Sequence, residues 1–213
     1  MKPEIDYTLY LVTDRSLMSS TTIEESVEQA VLGGCKLVQL REKDISSREF
    51  YETAVRVREV TSRLGTYLII NDRVDIAIAV DADGVHVGQE DLPADVVRRM
   101  IGQDKIIGVS VSKLAQALAA VAAGADYIGV GAMYVTGTKT DANITSIDEL
   151  REIRKAVTLP IVAIGGINKE TVSHFHGTGI DGLAVVSAIV SQKDVTAAAK
   201  ELKTLFLQGR SER

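Results

Sequence analysis

Four charged side chains stand where short apolar runs end. Arg41 and Lys43 follow Leu37-Val38-Gln39-Leu40, Asp72 follows Tyr67-Leu68-Ile69-Ile70 and Asn71, and Asp91 lies just beyond Gly84-Val85-His86-Val87. Strand alternation puts Gln39, Arg41 and Lys43 on one side of their segment. Arginine offers a bidentate fork and lysine a point charge, so this side suits an anion such as a diphosphate. The same residues also suit a loop salt bridge to Glu42 or Asp44. Asp72 and Asp91 are candidate ligands for Mg²⁺, which takes one or two carboxylates and completes an octahedral oxygen shell with water and phosphate. Asp72 equally fits as the partner of Arg73, and Asp91 as the N-cap ahead of Leu92-Pro93, since proline suits the start of a helix. His86 reads as a hydrogen-bonded core histidine or a binding group, and not as a metal ligand.

Glycine-rich segments point to phosphate. In Ile164-Gly165-Gly166-Ile167-Asn168 an apolar run meets a glycine turn and then a helix start. Glycine lets the backbone approach a ligand closely, and free N–H groups at a helix start attract anions. Val185-Val186-Ser187-Ala188-Ile189 follows the last apolar run. Thr136, Thr138 and Lys139 share a loop with Gly137 and are placed to reach a second phosphate. No Ser-His-Asp order, P-loop or paired zinc histidines occurs. Cys35 reads as packing at a helix end, and His174 and His176 as surface groups of a late helix.

These residues need a scaffold that brings them to one place. Eight short apolar runs recur: Leu9–Val12, Leu37–Leu40, Tyr67–Ile70, Gly84–Val87, Ile106–Val109, Tyr127–Val130, Ile161–Ile164 and Leu183–Val186. Each has the near-continuous apolar character of a strand buried on both faces. Between them lie helical patterns, with capping boxes at Thr22–Glu25, Ser46–Glu49 and Ser146–Glu149 and helix stops at Gly33-Gly34, Gly65 and Gly124. An apolar stripe over Leu114, Ala117, Leu118 and Val121 marks one buried helix face. Eight β-then-α units fit an open doubly wound sheet, and more economically a closed (β/α)8 TIM barrel of α/β class. Residues 1–213 read as a single domain, without linker or composition shift. In such a barrel the chemistry gathers at the C-terminal ends of the strands, and the last two loops commonly hold a phosphate.

Composition narrows the partners. Lys and Arg total 24 and Asp and Glu total 29 among 213 residues, a formal net charge of -5. That is not the basic footprint of a nucleic-acid binder. Aromatic residues make up only 4% and tryptophan is absent, which also argues against a base-stacking surface. One cysteine excludes an internal disulfide framework and fits a reducing compartment. No apolar run approaches the ~20 residues of a membrane span. The expectation is a soluble cytoplasmic protein with no membrane and no nucleic-acid partner. A barrel's outer helices read alike in a monomer and in a homo-oligomer.

Five motifs in order resemble the thiamine phosphate synthase family: Val38-Gln39-Leu40-Arg41-Glu42-Lys43, Ile70-Asn71-Asp72-Arg73, Gly84 to Leu92, Thr136-Gly137-Thr138-Lys139 and Ala163-Ile164-Gly165-Gly166-Ile167. The resemblance runs from Leu9 to Ile189. It implies a (β/α)8 barrel that joins hydroxymethylpyrimidine diphosphate to a hydroxyethylthiazole phosphate. It implies that Gln39 and Asn71 lie near the pyrimidine and diphosphate, that Arg41, Lys43, Ser110 and Lys139 serve the diphosphate, and that Asp72 and Asp91 hold Mg²⁺. It further implies that Thr136, Thr138, Gly166, Val186 and Ser187 serve the thiazole phosphate, and that His86 lines the pyrimidine pocket. The family usually carries prolines near strand six, where this chain has Gly131-Ala132-Met133-Tyr134-Val135. The alternative is a related thiazole tautomerase-type isomerase, which uses a histidine on the strand-six loop where this chain has Ala132.

Overall fold

The computed structural model describes residues 2–135 and 144–209. Eight parallel strands form a closed barrel in sequential order: β1 Leu9–Val12, β2 Leu37–Leu40, β3 Tyr67–Asn71, β4 Gly84–Val87, β5 Ile106–Val111, β6 Tyr127–Val130, β7 Ile161–Ile164 and β8 Gly182–Val185. β1 closes the ring against β8, with Leu11 opposite Val185. The helices are α1 Ile23–Leu32, α2 Ser47–Arg63, α3 Val74–Ala79, α4 Ala94–Ile101, α5 Leu114–Ala122, α6 Ile147–Ala156, α7 Ser187–Val190 and α8 Val195–Gln208. A 3₁₀ turn over Val172–Phe175 stands between β7 and β8.

Alternation along the strands divides the core in two. Leu9, Leu11, Val38, Leu40, Leu68 and Ile70 point outward and pack under the helices. Tyr10, Val12, Leu37, Ile69, Ile106, Tyr127, Val162 and Ala184 fill the barrel interior. The three expected caps form: Thr22, Ser46 and Ser146 accept the backbone N–H of Glu25, Glu49 and Glu149 at 3.1, 3.2 and 3.1 Å. No described helix is long and apolar enough to cross a membrane.

Several expectations shift. β2 stops at Leu40, so Arg41 and Lys43 leave strand alternation and belong to the following loop. β8 ends at Val185, and Val186 becomes the residue ahead of α7. On α5 the buried face is Ala117 and Ala120, while Leu118 and Val121 are exposed. Small residues let that helix sit close to the barrel, and its larger side chains turn outward. His174 is exposed in the 3₁₀ turn. His176 is half-buried and not a surface group: its Nε2 lies 3.2 Å from the Leu205 carbonyl, to which it donates.

At the N-terminal end one device repeats. Asp83, Asp126 and Asp181 each precede an even-numbered strand. Each accepts a backbone N–H from the strand before it, from Leu68, Ile107 and Ile161 at 2.7, 2.8 and 2.8 Å. Each also binds an arginine from a helix: Arg58 of α2, Arg98 of α4 and Arg154 of α6, at 2.5, 2.6 and 3.1 Å. The carboxylates thus tie strand to strand and strand to helix, which leaves the opposite rim to carry chemistry.

Candidate active site

At the C-terminal rim, β3 and β4 present the acidic pair. Asp72 adopts φ of 60°, a left-handed turn that aspartate tolerates better than most residues. Its N–H is held by the His86 carbonyl at 2.8 Å. This turn sets its carboxylate beside Asp91, whose Oδ2 accepts the Gly88 N–H at 2.7 Å. Burial raises the Asp91 carboxyl above the usual carboxylate range, and the Asp72 charge raises it further against the pull of Gly88 N–H and Lys43. The Lys43 ammonium binds Asp72 directly. Two crowded carboxylates attended by one partly exposed ammonium form a donor set short of positive charge. Such a set fits a hard divalent cation better than a zinc cage.

The loop salt bridges differ from those expected. Arg41 binds Asp14 at 3.2 Å, not Glu42 or Asp44, and its N–H donates to Thr13 Oγ1 at 3.0 Å. Glu42 turns back to Arg15 at 3.2 Å, and burial raises its carboxyl. Arg73 binds Asp75 at 2.5 Å, so it is not the partner of Asp72. The residue ahead of α4 is Pro93, and Asp91 caps the Gly88 turn and not that helix. With both structural duties removed, Asp72 and Asp91 are left facing each other at the rim.

Inward positions of β2, β3, β4 and β5 place Gln39, Asn71, His86 and Ser110 beneath these charges. Asn71 is 8% exposed, yet its Nδ2 has no hydrogen-bond partner among the described residues, an uncompensated donor that an acceptor on a ligand would satisfy. His86 lies between Tyr127 and Ser110, with Nδ1 at 2.9 Å from the Tyr127 hydroxyl and Nε2 at 2.8 Å from Ser110 Oγ. Burial depresses its pKa to about 4 against the pull of Asp91, so the ring is neutral at physiological pH. Gly108 makes this possible: a Cβ there would stand 2.1 Å from the Tyr127 ring and 2.4 Å from His86 Nδ1.

Gly165 and Gly166 follow β7 with φ of 99° and 66°, a conformation that favours glycine. A Cβ on Gly166 would stand 2.7 Å from Tyr134 Cβ. The β6 loop closes on this turn as Met133 N–H donates to Ile164 O at 2.9 Å and Tyr134 N–H to Gly165 O at 3.1 Å. β8 pairs with β7, so Val186 and Ser187 come to the same rim, at the start of α7. Thr136, Gly137, Thr138 and Lys139 lie outside the described residues. A cavity of about 460 Å³ opens at the opposite, N-terminal mouth among Tyr7, Ile106 and Pro160.

Three participants carried no signal readable in advance. Tyr10 and Tyr127 looked like ordinary strand residues, and their inward positions follow only from the barrel. Asp14 lies two residues past β1, and nothing in its sequence position marks its service to Arg41.

The described geometry has counterparts. The family described as thiamine monophosphate synthase matches residues 9–189. A thiamine-phosphate synthase of Clostridium beijerinckii is 64% identical over 208 residues, covering 98% of this chain and 100% of that one. A thiamine-phosphate synthase of Clostridium botulinum is 61% identical over 206 residues, covering 97% of each. The solved structure of thiamine phosphate pyrophosphorylase from Pyrococcus furiosus superimposes with a TM-score of 0.88 at 41% identity, covering 96% of this chain and 97% of that one.

Proposed function

This chain belongs to the thiamine monophosphate synthase family, and on that premise we propose that it condenses hydroxymethylpyrimidine diphosphate with hydroxyethylthiazole phosphate, releasing diphosphate and forming thiamine phosphate. The observation that carries the reading is the Asp72–Asp91 pair beside Lys43, with Arg41 on the same rim. A monophosphate ligand would not call for this combination. A diphosphate leaving group does, because its departing charge needs several positive partners at once.

Asp72 and Asp91 would hold Mg²⁺, which when bound there supplies charge neutralisation to the diphosphate oxygens. Arg41 and Lys43 bind the same diphosphate from the β2 loop. The bond from the pyrimidine methylene carbon to the diphosphate oxygen breaks first, and both electrons leave with the oxygen. The thiazole nitrogen then gives its lone pair to the resulting carbocation, which forms the C–N bond and leaves the positive charge on the thiazolium ring. No proton leaves a reacting atom in this sequence, so no strong protein base is required. Neutral His86 and buried Asn71 and Gln39 suit the recognition of an uncharged ring. Gly166, Val186 and Ser187 would hold the thiazole phosphate on the far side of the rim and orient its nitrogen towards the cation. The isomerase alternative needs an acid–base group on the β6 loop, where Ala132 has none.

The test is turnover of both substrates with Mg²⁺. Thiamine phosphate and diphosphate released in equal amounts are expected. Isomerised thiazole phosphate without diphosphate release would overturn the reading.

A further inference from the structure

A continuous line of side-chain hydrogen bonds crosses the barrel interior. Gln39 Nε2 donates to the Tyr10 hydroxyl at 2.8 Å. Tyr10 and Tyr127 join hydroxyl to hydroxyl at 2.8 Å. Tyr127 meets His86 Nδ1 at 2.9 Å, and His86 Nε2 meets Ser110 Oγ at 2.8 Å. Five residues from β1, β2, β4, β5 and β6 take part. All but Ser110 are buried.

The direction follows from Gln39 Nε2 at one end and from giving each hydroxyl proton along the line one acceptor. An amide nitrogen only donates. Tyr10 accepts from Gln39, and Tyr127 is the other partner of its hydroxyl among the described residues, so the pairing that leaves no proton unmatched sends its single proton to Tyr127. Tyr127 in turn spends its proton on His86 Nδ1. A neutral imidazole with Nδ1 accepting carries its proton on Nε2, which donates to Ser110 Oγ. Ser110 is then an acceptor within the chain, and its own hydroxyl proton is free for the mouth of the site.

We propose that Tyr10 and Tyr127 are positioning residues, which lock His86 as the Nε2–H tautomer and so turn the Ser110 hydroxyl outward as a donor to the diphosphate. The identity of the ligand rests on the function proposed above; the direction of the relay does not. Reversing the chain would turn the Ser110 proton inward to His86 and leave only lone pairs facing an anion. A site for a diphosphate thus depends on an amide on the other side of the barrel.

The tautomer is read directly from ¹⁵N signals of the ligand-free, histidine-labelled protein, where only three histidines need assignment. The wild type should show a pyridine-like Nδ1 and a pyrrole-like Nε2 at His86. Gln39→Leu removes the donor that sets the direction and should give a mixture of the two patterns. Tyr127→Phe keeps the ring but removes the donor, and should also give a mixture; it serves if Gln39→Leu does not fold. An Nδ1–H wild type, or a single unchanged tautomer in either variant, would overturn the relay.

Binding of inorganic diphosphate with Mg²⁺ reads the second half. Ser110→Ala should weaken it by about tenfold or more, the scale of a lost hydrogen bond to a charged group. Tyr127→Phe should weaken it by a smaller factor, and by none in the Ser110→Ala background. Losses that multiply independently would sever Tyr127 from Ser110 and overturn this half. A wild type that binds no diphosphate would overturn the proposed ligand, and with it the assignment of the Ser110 donor, while the tautomer patterns would still decide the relay.

Discussion

The Lys43 ammonium binds the Asp72 carboxylate that stands beside Asp91, so the cation of the β2 loop occupies part of the charge deficit of the acidic pair. On the proposed function, lysine and a divalent cation would compete for one carboxylate in the free protein. A bound diphosphate would remove the conflict by giving Lys43 new oxygen partners.

This competition predicts opposite effects of one substitution. Lys43→Met should tighten Mg²⁺ binding to the free protein, since a partly exposed ion pair no longer opposes it. The gain should be up to about fivefold, on the ~0.2–1 kcal/mol scale of such pairs. The same variant should bind diphosphate more weakly. Calorimetric titration with each ligand separates the two, and weaker Mg²⁺ binding by the variant would contradict the competition.

Asp72→Ala tests the division of the rim. Gly166, Val186 and Ser187 lie at the ends of β7 and β8, away from the β3 turn that carries Asp72. The variant should lose Mg²⁺-dependent turnover by at least about a hundredfold, about 3 kcal/mol of transition-state stabilisation. Its affinity for the thiazole phosphate should stay within about twofold. Full activity would remove Asp72 from the metal site.

His86 predicts an acid-side loss of stability. Its pKa is depressed from 6.5 to about 4 by burial. The unfolded chain therefore takes up the proton first as pH falls. The stability that neutral burial contributes is intact above about pH 6.5 and drains away down to about pH 4. Between pH 7 and pH 5 the expected loss is about 2 kcal/mol. Urea unfolding at the two pH values measures it, and His86→Gln should lose less by about that amount. Equal losses in both proteins would show that His86 does not titrate in this window.

Much of this was legible from residue order alone. The eight apolar runs marked the strands because both faces of each are buried, and polar residues at their ends marked the rim because parallel strands all finish on one side. The sequence could not reveal the pairings. Asp72 has Arg73 beside it in the chain, yet the left-handed turn at Asp72 carries its carboxylate to Lys43, and Arg73 goes to Asp75. Likewise Tyr10 and Tyr127 lie 117 positions apart, and only barrel closure brings their hydroxyls together. Alternation continued past Leu40 on paper because nothing in Arg41-Glu42-Lys43 marks the end of β2.

The Asp–Arg ties at the other end were equally readable and equally silent, because one aspartate before one strand looks like any loop residue. Their recurrence at Asp83, Asp126 and Asp181 gives them meaning. Arg98 is the most enclosed of the three arginines, 10% exposed along its side chain, and it also donates to the carbonyls of Gly102, Lys105 and Gly124. Removing Asp126 leaves that guanidinium without its counter-charge and the Ile107 N–H without its acceptor. Asp126→Ala should therefore cost about 3 kcal/mol, the scale for breaking a buried pair on one side. Glu28→Ala, which removes the partly exposed partner of Arg63, should cost far less, on the small scale of a surface ion pair. Because both lie away from the rim, kcat measured well below the unfolding transition should stay unchanged in each. Denaturant unfolding of the pair of variants checks the contrast, and equal costs would mean that the tie at Asp126 contributes no more than a surface ion pair.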